Sequence, residues 1–71
     1  MTYIITRNEC SNAYAKVKYS VEADSKAEAL KKIDDDGKLI SYTFNSWSEE
    51  GSNWIDDEEY WEVKEVAEQN I

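Results

Sequence analysis

AYAKVKYSVEADSKAEALKKI, residues 13–33, changes its hydrophobic period half-way along. From Ala13 to Ala23 the odd positions are Ala13, Ala15, Val17, Tyr19, Val21 and Ala23, and the even ones are Tyr14, Lys16, Lys18, Ser20 and Glu22. Alternation of this kind predicts a strand with one buried face, because successive side chains point to opposite sides of a sheet. At Asp24-Ser25 the period lengthens. Ser25 with Glu28 three residues on makes a capping-box pattern, so a helix is expected to start there. Ala27, Leu30 and Ile33, with Ala29 beside them, form its apolar stripe, and Lys26, Lys31 and Lys32 the rest of its surface. Gly37 is expected to end it in the left-handed conformation. Asp34-Asp35-Asp36 breaks a local rule, since negative charge meets the negative end of the helix dipole.

Outward from this segment the pattern is again that of strands. Residues 2–7 (TYIITR) are β-branched and aromatic, and residues 8–12 (NECSN) read as a polar turn. After Gly37, LISYTFNSW places Ile40, Tyr42 and Phe44 on one face, which is expected to join the core. Residues 48–53 (SEEGSN) are a turn signal, and Tyr60–Val66 reads as a last strand with Trp61 and Val63 inward. Trp54-Ile55 fits either a short strand or an ordered loop, and the tail from Ala67 is expected to fray. The expectation is therefore an α+β fold in the order β-β-α-β-β: four or five antiparallel strands, one helix on one face, and residues 1–71 as a single domain.

Composition narrows function by exclusion. The chain has 71 residues, no histidine, no proline and a single cysteine, Cys10. One cysteine forms no internal disulfide, and a chain without histidine lacks the usual base for nucleophilic or acid–base catalysis. Cys10 reads as a surface thiol, and two glycines are too few for a phosphate-cradling loop. The expectation is a non-enzymatic protein without cofactor, metal or small-molecule substrate. Aligning Gly37 with the glycine of a calcium loop puts Lys32 and Thr43 at ligand positions that need carboxylates, so that motif fails. No segment is apolar over the 18 residues a membrane span requires, and a reducing cytoplasmic setting is expected.

Charge is the most informative feature. The net charge is −8, yet residues 1–33 sum to +2 and residues 34–71 to −10. A phosphate-binding surface needs excess Lys and Arg, so direct nucleic-acid binding through the C-terminal half is disfavoured and basic partners are favoured. The candidate partner-binding residues are the acidic groups Asp34, Asp35, Asp36, Glu49, Glu50, Asp56, Asp57, Glu58 and Glu59, with Trp47 and Trp54 flanking the acidic turn. Carboxylates two residues apart on a strand are about 6.6–6.8 Å apart, near twice the phosphate rise of one DNA strand, so an acidic strand face imitates a phosphate track. Against these stand plainer readings: acidic loops that solubilise a small domain, tryptophans that fill its core, and a strand-two face of Tyr14, Lys16 and Lys18 that is simply solvated.

Tyr19-Ser20-Val21-Glu22-Ala23-Asp24-Ser25-Lys26-Ala27-Glu28-Ala29-Leu30, together with Trp61-Glu62-Val63, resembles short phage- and plasmid-encoded proteins of the DpnD/PcfM-like type. In size and charge the chain is similar to anti-CRISPR inhibitors. The resemblance implies mobile-element origin, a bacterial host cytoplasm, and inhibition by docking on a basic nucleic-acid-binding protein or complex. Two rival readings remain open: an adaptor that grips a protein through Tyr14, Trp47 and Trp54, and a weak DNA-binding module that uses Arg7, Lys16 and Lys18.

Overall fold

The computed structural model describes residues 1–48 and 53–66. Its elements are β1 (Thr2–Cys10), β2 (Ala13–Glu22), α1 (Lys26–Asp36), β3 (Lys38–Trp47), β4 (Trp54–Ile55), a single 3-10 turn (Glu58–Tyr60) and β5 (Glu62–Val66). All pairings are antiparallel, which makes the fold the expected α+β class. The strand order is β3-β2-β1, and the far edge of β1 is shared: β5 pairs with Thr2–Thr6 and β4 with Glu9-Cys10. Between them Asp56 fills the gap in the ladder. Its N–H donates to the Asn8 carbonyl at 3.0 Å, and its carboxylate accepts from the Asn8 Nδ2 at 2.9 Å.

The helix begins where its cap predicts. The Ser25 hydroxyl accepts from the Glu28 N–H at 3.2 Å, and the Ser25 carbonyl accepts the first helical bond, from Ala29, at 2.9 Å. Gly37 departs from expectation: its φ of −68° and ψ of 132° are extended, so no left-handed cap forms. A glycine is needed for a different reason. Its N–H donates to the Ile33 carbonyl, and a Cβ at this position would run into that same oxygen.

The core lies between the helix and the strands beneath it. Tyr3, Ile5, Val21, Ala23, Ala29 and Ile33 form it, with Tyr19, Leu30, Trp61 and Val63 packed at its margin. Ala27, assigned to the apolar stripe by spacing, is exposed. The larger correction concerns β3. Ile40, Tyr42 and Phe44 are 52, 56 and 47% exposed instead of buried. A helix is about 10 Å across and strands are spaced about 4.8 Å apart, so one helix covers about two strands. Helix α1 spends that width on β1 and β2, with Val63 of β5 at its margin, and β3 hydrogen-bonds to the outer edge of β2.

Smaller departures follow from strand length. β1 runs on to Cys10, so the turn shrinks to Ser11-Asn12, where Asn12 takes a φ of 71° that asparagine tolerates. Cys10 is thereby buried, 2% exposed, and is not a surface thiol. Trp54-Ile55 is a two-residue strand, and the last strand starts at Glu62 because Tyr60 belongs to the 3-10 turn. Residues 49–52 of the expected turn at 48–53, and the tail at 67–71, lie outside the described residues. Among the described residues no helix is long and apolar enough to cross a membrane.

Ile5 is fully buried, so Ile5→Val is expected to cost about 1 kcal/mol and Ile5→Ala about 3 kcal/mol in urea denaturation. Gly37→Ala is expected to be destabilising although its φ suits alanine, because the helix end must shift away from the Ile33 carbonyl.

Candidate partner-binding surfaces

Arg7 occupies the helix-side row of β1 that Tyr3 and Ile5 begin, where the alternation calls for an apolar residue. Its side chain is only 4% exposed. Burial works against its charge, but carboxylates on two sides more than compensate. Nε donates to Glu9 Oε2 at 2.8 Å and Nη2 to Asp34 Oδ1 at 3.2 Å. The net result holds Arg7 above its ordinary pKa. The guanidinium also lies against two rings, 5.0 Å from the centre of Tyr19 and 4.8 Å from that of Trp61. Tyr19 donates its hydroxyl to Glu9 at 2.6 Å, and Trp61 its indole N–H to the Asp56 carbonyl at 2.7 Å.

This cluster decides where the acidic residues go. Asp34 is drawn to it from the helix end, and the Asp56–Glu59 segment is tied to its other side through Trp61. Glu58 and Glu59 line a cleft with Lys26, Leu30, Trp61 and Val63, which puts them beside the helix. Asp57, Glu58 and Glu59 are exposed, whereas Asp56 is half-buried and occupied with Asn8. Asp35 is exposed, and Asp36 lies elsewhere, lining a cleft with Lys32 and Lys38. Two of the three acidic runs thus reach one cluster only in part, and Glu49 and Glu50 lie outside the described residues. The phosphate-track spacing does not apply to 57–59. That stretch leads into a 3-10 turn, which rises about 2.0 Å per residue, not a strand.

The aromatic candidates separate. Trp54 packs on Tyr14 with ring centres 5.8 Å apart and planes tilted by 52°, on the face away from the helix, over the end of β1 where both pair with Cys10. Trp47 pairs with Ala13 on the helix side, is 75% exposed, and meets Phe44 edge-on at 5.1 Å. Tyr14 and Trp54 therefore share one face of the sheet, and Trp47 lies on the other. The proposed basic set also divides, because Arg7 is buried on the helix side while Lys16 and Lys18 face away from it. The register adds Lys38 and Lys64 to the lysine face, together with Glu22 and Glu62.

Two features depart from the sequence pattern: the buried Arg7 cluster and the exposure of Ile40, Tyr42 and Phe44. Arg7 carried a signal, standing at an odd position after Tyr3 and Ile5. The exposure of β3 carried none. Among the described residues no three carboxylate or thiol groups come together as a cation site. No family model, curated protein or solved structure matches this chain.

Arg7→Ala is expected to cost about 3 kcal/mol in denaturation, through a lost buried ion pair and two uncovered rings; Arg7→Met, which keeps the stem between them, should cost less. Tyr19 has its pKa raised, by burial first and by its bond to Glu9 second. The fold therefore favours the neutral phenol. Its contribution is present below the unfolded value near 10 and is lost as pH rises through the higher folded value. Stability measured across the alkaline range should show this loss, and Tyr19→Phe should lessen it.

Proposed function

We propose that this chain is a non-enzymatic protein ligand that docks an acidic face on a basic, nucleic-acid-binding surface and shields that surface from DNA or RNA. The observation that carries the reading is the Arg7 cluster: Glu9, Asp34 and the Asp56–Glu59 segment surround one guanidinium and one indole. Two carboxylates neutralise the buried cation, and the exposed Glu58 and Glu59 stand beside Trp61, with the exposed Asp57 just before them in the chain. Acidic groups within a Debye length of about 8 Å of one another add their fields and speed encounter with a basic groove. The mechanism is steric and electrostatic occlusion. It matches charge to charge without copying phosphate spacing. The absence of histidine and the burial of Cys10 favour a binding role over catalysis. A bacterial defence complex as target, met in the host cytoplasm, is the reading that the DpnD/PcfM-like segment and the anti-CRISPR-like size and charge favour.

A second reading rests on the opposite face, where Lys16, Lys18, Lys38 and Lys64 lie with the tilted Tyr14–Trp54 pair. Ammonium groups interleaved with stacking rings suit a nucleic-acid strand, and binding there would appear in a low-salt gel shift.

The two separate by mutation. Asp57, Glu58 and Glu59 all changed to Lys should reduce capture of basic partners from bacterial lysate about tenfold or more, with the fold intact by circular dichroism. Asp34 and Asp56 are left in place because they hold Arg7 and Asn8. Capture by the unmodified chain should also fall between about 0.05 and about 0.5 M salt. Equal capture by the triple variant sinks the acidic-face reading.

A further inference from the structure

We propose that β3 is the interface through which two copies of this chain form a symmetric dimer, by antiparallel pairing of their β3 edges. β3 is ten residues long and pairs with β2 alone; among the described residues nothing pairs with its outer side. Of the protections that edge strands usually carry it lacks proline and, past Lys38 at its start, charge; its two bulges are the protection it keeps, and between them Ser41–Phe44 runs in regular register.

Two bulges give the strand its use. The register passes from Lys18↔Ser41 to Tyr19↔Leu39 and from Tyr14↔Ser46 to Ala15↔Phe44, so Ile40 and Asn45 are extra residues. Without them Leu39 and Trp47, at odd positions, would point away from Tyr42 and Phe44. With them all four stand on the helix side, 61, 56, 47 and 75% exposed for Leu39, Tyr42, Phe44 and Trp47. With Ile40 they expose on the order of 600 Å² of mostly apolar surface, and the backbone edge adds to it. A standard interface needs about 800 Å² from each partner.

Charge selects a second copy as the occupant. Acidic residues number 16 of 71, yet none falls between Asp36 and Glu49. On the acidic side two copies would bring carboxylates together, and on the face away from the helix lysines. Along β3 they meet neutral, apolar groups. A two-fold axis normal to the sheet makes the pairing antiparallel and keeps both helices on one side. The two Leu39–Tyr42–Phe44–Trp47 stripes then meet in the trough between those helices. The Arg7–Trp61 clusters, on the β1 and β5 side, stay free at the two ends and would make the assembly bivalent.

The test is the mass of the full chain in sedimentation equilibrium at about 0.05 and about 0.5 M salt. Twice the 8.3 kDa chain mass is expected, with the dimer fraction rising as salt screens the repulsion. That salt response is opposite in sign to the one expected for docking on a basic partner. Phe44→Glu with Trp47→Glu changes only exposed side chains and should give a folded monomer, with faster amide exchange along 38–47 than in the unmodified chain. Changing Asp57, Glu58 and Glu59 to Lys should leave the dimer in place, so the two proposals fail separately. A monomer at both salts up to about 1 mM, the weak limit of specific association, overturns the inference and leaves the edge to a different chain. A dimer that persists in the Phe44/Trp47 variant overturns it as well.

Discussion

One helix of 11 residues is the cover for one face of a five-stranded sheet, and its width decides what is core and what is surface. Because β2 leads directly into the helix through the Ser25 cap, the helix folds back on β2 and β1 and buries Ile5, Val21, Ala29 and Ile33 beneath it. What lies past its C-terminal end or beyond β2 is left uncovered. The Arg7 row lies at the first of these margins and the β3 stripe at the second.

At the first margin the molecule closes its core with polar groups. A guanidinium between two rings has the breadth of an apolar side chain, and its charge requires acceptors, which Glu9 and Asp34 supply. The interaction also answers the anomaly at the helix end, because Asp34 sits against the unfavourable pole of the dipole yet gains a charged hydrogen bond from Arg7. Packing and surface charge are thus coupled here. The groups that seal the core place the acidic segments around Trp61.

At the second margin nothing among the described residues closes the core. Ala13, Ala15 and Val17 are buried, but the β3 side chains paired with them stand half in solvent. A small domain retains such a surface at some cost in solubility, and here the surplus of carboxylates elsewhere on the chain offsets that cost. The acidic and the apolar surfaces are then complementary parts of one arrangement, one repelling like molecules and the other holding an edge where they can meet.

Alternation from Ala13 to Ala23 and the Ser25–Glu28 spacing were enough to read the second strand, the helix start and the α+β class, because each depends on contacts a few residues apart along the chain. Charge asymmetry was legible for the same reason, being a property of composition. The fate of Ile40, Tyr42 and Phe44 was not, since apolar alternation looks alike in a strand beneath a helix and in one beyond its reach. Nor was the gathering of Leu39 and Trp47 onto their face, which two bulges in the β2–β3 register produce. Arg7 shows the limit most plainly. Its position in the row of Tyr3 and Ile5 was visible in the sequence, but its partners come from residues 2 and 27 positions away, and only the tertiary structure joins Glu9, Asp34 and Trp61 around it. Local periodicity determines elements and their faces; which face is covered, and by what, is decided by the width of the one helix available to cover it.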